Sequence, residues 1–104
     1  MPLNDLPKFE MFETGSQIRR SVKSVKSNIV EGFGRKRYQH EYIHFLVYSF
    51  GSLMETNDHL ETLYQTKSLK DEKKFLILSE KLDKLGRKLN LFIQTVQNDN
   101  PRKT

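Results

Sequence analysis

Residues His40-Glu41-Tyr42-Ile43-His44 fit the H-E-x-x-H pattern, in which two histidines one helical turn apart share a zinc ion and the glutamate acts as general base. The spacing is right for a helix, but the remainder of a zinc site is not visible. His59 is the third histidine and lies too far along the same predicted helix to reach the same ion. The longer metzincin pattern needs Gly and His where Val47 and Phe50 stand. With Tyr42 and Leu46 turned to the core, His40 and His44 fall on the outer face at 100° per residue. The pattern therefore reads as a coincidence. No glycine-rich phosphate loop and no carboxylate pair accompanies it, so the sequence predicts no catalytic residue, no metal and no cofactor. Glu31 is a lone acid, better suited to an ion pair with Arg35 four residues on, or with Arg20 of another copy, than to catalysis.

The second chemistry-bearing set is cationic. Arg19, Lys23 and Lys26 share one flank of a predicted helix, Arg20 lies behind them, and Arg35, Lys36 and Arg37 form a compact run after the helix ends. Arginine grips phosphate with paired hydrogen bonds, and clustered cations release counterions from nucleic acid. Tyr38, next to the run, offers a ring on which an unpaired base can stack. These eight residues are the candidate nucleic-acid contacts. The plain alternative is a solvated helix flank and a helix C-terminus that favours positive charge.

The elements that must carry these residues follow from composition and periodicity. A chain of 104 residues with 36% hydrophobic and 30% charged residues supports one domain of thin amphipathic helices. Proline occurs only at positions 2, 7 and 101, which leaves a long interior free of helix breaks. Cysteine is absent, so disulfides and thiolate metal sites are excluded and a reducing cytoplasm is compatible. The N-terminus lacks the basic and apolar blocks of a signal peptide, and no apolar run is long enough to cross a bilayer. A soluble cytoplasmic protein is expected, with an anionic partner suggested by a net charge of +5.

Three helices are predicted, at about 14–33, 39–65 and 69–97. They lie within a helical domain spanning 14–98, between an irregular segment 1–13 and a flexible tail 99–104. The first begins at a Thr14–Gln17 capping box, presents Ile18, Val22, Val25, Ile29 and Phe33 as one stripe, and is closed by Gly32 and Gly34. The second carries a heptad seam, Tyr42, Leu46, Ser49, Leu53, Thr56, Leu60 and Leu63. It also carries a second apolar row, Ile43, Val47, Phe50 and Met54, whose natural use is a subunit interface or a second core face. The third starts after Ser68, with Asp71 and Glu72 in its first turn, and repeats Phe75, Leu78, Leu82, Leu85, Leu89, Phe92 and Val96. Short links demand antiparallel neighbours, giving an all-α, up-and-down helical bundle. The middle helix has more apolar surface than two neighbours need.

The pairing of Gln17-Ile18-Arg19-Arg20 with Ser27-Asn28-Ile29-Val30-Glu31-Gly32-Phe33-Gly34-Arg35, followed by the segment from Tyr42 to Thr56, resembles the four-helix-bundle proteins called 23S rRNA intervening-sequence proteins, some labelled ribosomal-protein-like. The resemblance is strongest over Ser16 to Leu63 and extends to Val96. It implies a bacterial four-helix bundle assembled as a homo-oligomer, commonly a pentamer, with a basic surface and no enzymatic activity. RNA or DNA is the partner that the basic flank and run suggest, with a protein partner as the alternative. One branch resembles the accessory protein of a reverse-transcriptase complex, which makes a protein-interaction scaffold the alternative. Members usually carry another helix before the position of Gln17, so the first family helix is expected to be short or missing here. Leu3, Leu6, Phe9 and Phe12 are expected to form an apolar strap over the bundle instead.

Overall fold

The computed structural model describes residues 5–65 and 71–99. They form three helices and no strand: α1 (Asp5–Gly34), α2 (Gln39–Gln65) and α3 (Glu72–Asn98). None is long and apolar enough to cross a membrane. The middle helix packs against both others, and these two pairings account for the body.

α1 starts at Asp5, well before the expected Thr14, so the irregular segment over 1–13 gives way to helix from residue 5 on. Pro7 permits this because it sits in the first turn. There its missing N–H has no helical acceptor to lose, and its ring has no helical carbonyl behind it to strike. Thr14 is therefore a buried mid-helix residue rather than an N-cap. Phe9 and Phe12 are 61% and 70% exposed, so they do not strap their own bundle. The side chain of Leu6, and Leu3 altogether, lie outside the described residues.

The face that α1 turns to α2 also differs from the expected apolar stripe. Val25 is buried, but Val22 and Phe33 are half exposed. Thr14, Ser21 and Gly32 are buried instead. Small residues let two helix axes approach, and their hydroxyls then need partners inside the interface. They find them. Ser24 and Ser52 exchange a 2.8 Å hydrogen bond, and Ser49 Oγ donates to the Val25 carbonyl at 2.8 Å. Thr56 Oγ1 shares its proton between Ser21 Oγ at 2.7 Å and the Ser52 carbonyl at 2.9 Å. Asn28 Nδ2 donates to the Ser24 carbonyl at 2.8 Å. No buried side-chain polar atom among the described residues lacks a partner.

Gly32 is part of this contact rather than a helix terminator. A Cβ built there would stand 3.1 Å from Phe45 Cβ and 3.4 Å from the Tyr42 carbonyl oxygen, neither of which can swing away. Gly86, on α3, has only ordinary contact to make: its Cβ would meet Leu53 Cδ2 at 3.5 Å. The two glycines should therefore respond oppositely to alanine. Gly86→Ala gains up to about 1 kcal/mol of helix propensity, whereas Gly32→Ala loses about 1–2 kcal/mol after overpacking offsets that gain. Urea unfolding midpoints read both.

α2 and α3 hold the apolar core. Leu46, Leu89 and Ile93 are buried together, with Tyr42, Phe50 and Val96 packed against them. Tyr42 meets Phe92 edge to face at 6.0 Å, and Tyr64 stacks on Phe75 at 4.1 Å near the opposite end. Asp71 caps α3, its carboxylate accepting from the Lys74 amide at 3.0 Å. The expected start after Ser68 and most of the expected tail, 100–104, lie outside the described residues. Asp99 ends α3 by donating its backbone N–H to the Thr95 and Val96 carbonyls. The Gln39 amide, at the start of α2, donates to the Val96 and Asp99 carbonyls and ties the two ends together.

α1 and α3 lean on α2 from either side and leave a groove of about 300 Å³ between them. Val22, Val25, Ile29 and Val30 of α1 form one wall, Leu82 and Leu85 of α3 the other, and Leu53 and Thr56 of α2 the floor. Its lining is almost wholly apolar.

Candidate nucleic-acid interface

α1 places its cations on the surface away from the hydroxyl seam. Arg19, Arg20, Lys23 and Lys26 are all exposed. Among the described residues, none of the four enters an ion pair. Lys26 stands at the edge of the apolar groove, with Lys23 three residues and Arg19 seven residues before it on the same flank. Arg20 turns to the other side, where it lines a shallow cleft with Gln17, Ser24, Glu55 and His59. α1 therefore carries three free cations in a row on one flank and a fourth, beside an acid, on another.

The run after α1 is arranged differently. Arg35, Lys36 and Arg37 sit in a tight turn closed by Arg35 N–H to the Gly32 carbonyl at 2.9 Å and Tyr38 N–H to the Arg35 carbonyl at 2.8 Å. Arg35 is held by two carboxylates, Glu31 Oε2 at 3.0 Å and Glu41 Oε1 at 2.7 Å. It also lies over the Phe45 ring at 5.1 Å. The hydrogen bonds it donates to Glu41 and then Glu31 raise its pKa, so it stays charged while its donors are occupied. Lys36 Nζ rests 4.3 Å above the Phe33 ring. Three cations and two acids leave this turn about one net charge. Arg35 is thus a turn lock, and Arg37 and Tyr38 are the exposed members left for a ligand. Sequence reasoning identified the Glu31–Arg35 spacing but not the second acid, Glu41, which arrives only when α2 folds back.

The residues of the H-E-x-x-H pattern separate into other roles. Glu41 is the Arg35 partner just described. His44 Nε2 hydrogen-bonds the Tyr48 hydroxyl at 2.6 Å, with the two rings 4.4 Å apart. His40 is exposed. Among the described residues, no three His, Asp or Glu side chains converge as a metal site would require.

The second apolar row splits across two environments. Phe50 turns to the core and, with Met54, lines a larger groove of about 430 Å³ between α2 and α3. Val47 and Met54 are half exposed, and Ile43 is partly buried. Tyr42, on the core side, has its phenol pKa raised by burial. Because the ionised phenol is disfavoured in the fold, this group's contribution holds below pH 10 and is lost as pH rises through the raised folded pKa. Thermal stability should therefore fall faster above pH 10 in the wild type than in Tyr42→Phe.

Comparison with known proteins places this chain in a family. A family model described as "23S rRNA-intervening sequence protein" matches residues 2–91. No curated protein and no solved structure matches the chain.

Proposed function

The chain belongs to the 23S rRNA-intervening sequence protein family, and from that premise we propose a non-enzymatic, oligomeric helical-bundle protein of the cytoplasm that binds nucleic acid, RNA in the first place, through its backbone phosphates. The observation that carries this reading is the contrast in charge. Arg19, Lys23 and Lys26 are exposed, adjacent and unneutralised, whereas Arg35 is spoken for by Glu31 and Glu41. A flank without acids is what a phosphate backbone selects, because each neutralised phosphate releases counterions. Arg20, on the other side of α1, and Lys36, Arg37 and Tyr38, in the turn that follows it, complete the contact set. In this reading the apolar groove between α1 and α3 is the fourth position of a four-helix bundle, filled in the assembly, with a pentamer as the family's implied size.

The test is fluorescence anisotropy of a labelled single-stranded RNA across a salt series. Tight binding at low salt that weakens linearly on a log–log plot supports the reading, and an absence of binding at low salt sinks it. A second reading, a protein scaffold or the accessory subunit of a reverse-transcriptase complex, is favoured by the half-exposed Val47 and Met54. It expects Val47→Asp to break a protein complex while RNA affinity stays unchanged.

A further inference from the structure

The groove between α1 and α3 is ordered along its length. Phe33, four residues after Ile29, and Phe92, seven after Leu85, extend its apolar face toward the Gln39 end of α2, and both are about half exposed. Cations border its middle. The contacts Ser24–Ser52 and Ser21–Thr56 on one side, and Gly86 beside Leu53 on the other, fix the levels of the three helices. They bring Arg19, Lys23 and Lys26 of α1, and Lys81 and Lys88 of α3, level with α2 residues from about 50 to 58. None of these five enters an ion pair among the described residues. Pairing two copies groove to groove would set the cations against one another, so like charge opposes it.

The outer face of α2 carries the complementary pattern in the same order. Opposite the buried seam lie Gly51 and Asp58, with Tyr48 and Glu55 on one flank and Val47, Met54 and Glu61 on the other. Val47, Tyr48 and Met54 are about half exposed, the three acids are exposed, and α2 contains no Lys or Arg. The face is thus apolar toward Gln39 and acidic beyond Met54. Gly51 stands at its centre, and no atom lies within 4 Å of a Cβ built there. Glycine inside a helix lowers helix propensity, and nothing in its own subunit uses the room it leaves.

We infer that the outer face of α2 in one copy fills the groove of the next, so that one helix serves two bundles. The matching order makes the incoming α2 parallel to the resident one. It is then antiparallel to both α1 and α3, as an up-and-down four-helix bundle requires. A slide of about four residues toward the Gln39 end, about 6 Å, sets Asp58 among the cations and Gly51 level with Ile29 and Phe92. Tyr48 then lies beside Phe33, Glu55 meets Lys26 on the α1 rim, and Glu61 meets Lys81 on the α3 rim. Three acids against five cations leave the rims cationic toward a phosphate backbone. Each copy offers one ridge and one groove, so the contact is head-to-tail and closes into a ring or runs on as a filament. This rests on the oligomer reading above and names its joint.

Light scattering on the purified chain, with circular dichroism on each variant, tests it. The wild type should exceed its 12.3 kDa chain mass. Gly51→Leu has room within the subunit, so it should keep its helix content yet fall to the single-chain mass. Leu85→Asp, at a 42% exposed position of the groove, should do the same. Mixing these two variants brings one intact groove to one intact ridge, and the mixture should run at about twice the single-chain mass. Glu55→Lys/Glu61→Lys should also dissociate the assembly, and adding Lys26→Glu/Lys81→Glu should restore it. A wild type at the single-chain mass overturns both this inference and the oligomer reading. An assembly that survives Gly51→Leu and the glutamate reversal, or a mixture that stays at the single-chain mass, overturns this inference alone.

Discussion

Reversing Arg19, Lys23 and Lys26 to glutamate should cost about a hundredfold in RNA affinity at 0.1 M salt. Each single-stranded phosphate contact contributes a log–log slope of about −0.7, so three lost contacts remove about 2 from the slope and about fivefold each in affinity at that salt. Reversal adds repulsion to that loss. The turn offers a sharp comparison, because Arg35 donates to Glu31 and Glu41 and Lys36 rests on Phe33. Lys36→Glu/Arg37→Glu should lower affinity by about tenfold or less, and Arg35→Gln by less still. Equal losses from the two sites would contradict the assignment to the α1 flank. Circular dichroism on each variant separates lost contacts from lost structure.

Leu46→Ala should destabilise the fold by about 2–5 kcal/mol. Leu46 is fully buried and touches the Leu89–Ile93 cluster, so truncation removes transfer energy and leaves a void that three helices cannot collapse around. A domain of this size has a total stability of about 5–15 kcal/mol, so the variant is close to unfolding at body temperature. The neighbouring Val47, half exposed one position on, gives the control: Val47→Ala should stay within about 0.5 kcal/mol. Urea titration with a shared slope measures both. A Leu46→Ala loss below 1 kcal/mol would mean that α3 is not seated on α2 as described.

Much of the fold is legible in the sequence because α2 carries a heptad seam; on α3 the expected seam holds only in part, since Leu89 is buried on it but Ile93 is buried off it and Leu78, Leu85 and Phe92 are exposed. Leu46, Ser49, Leu53, Thr56 and Leu60 are the buried residues of α2, all on the predicted seam. α1 was harder to read, since its inward face is made of Thr14, Ser21 and Gly32 around a single buried valine, residue types that hydropathy scores as surface or loop. The signal available was complementary: small polar residues at Ser21 and Ser24 facing Ser49, Ser52 and Thr56. The helix start was missed because Pro7 reads as a breaker until its place in the first turn is known. The cations were legible as residues but not as free or engaged, because that depends on Glu41, which joins the turn only through the chain reversal.

The hydroxyl seam between α1 and α2 also acts as an alignment code. Apolar stripes tolerate sliding, since one leucine replaces another at the next heptad. Ser24 against Ser52, Ser21 against Thr56 and Ser49 against the Val25 carbonyl satisfy one another only at one offset. A slip of one heptad would bury those hydroxyls without partners, each costing about 1–3 kcal/mol. Filling the seam with leucine would yield a tighter hairpin with several competing alignments, and the flank that carries Arg19, Lys23 and Lys26 would lose its fixed position relative to the groove.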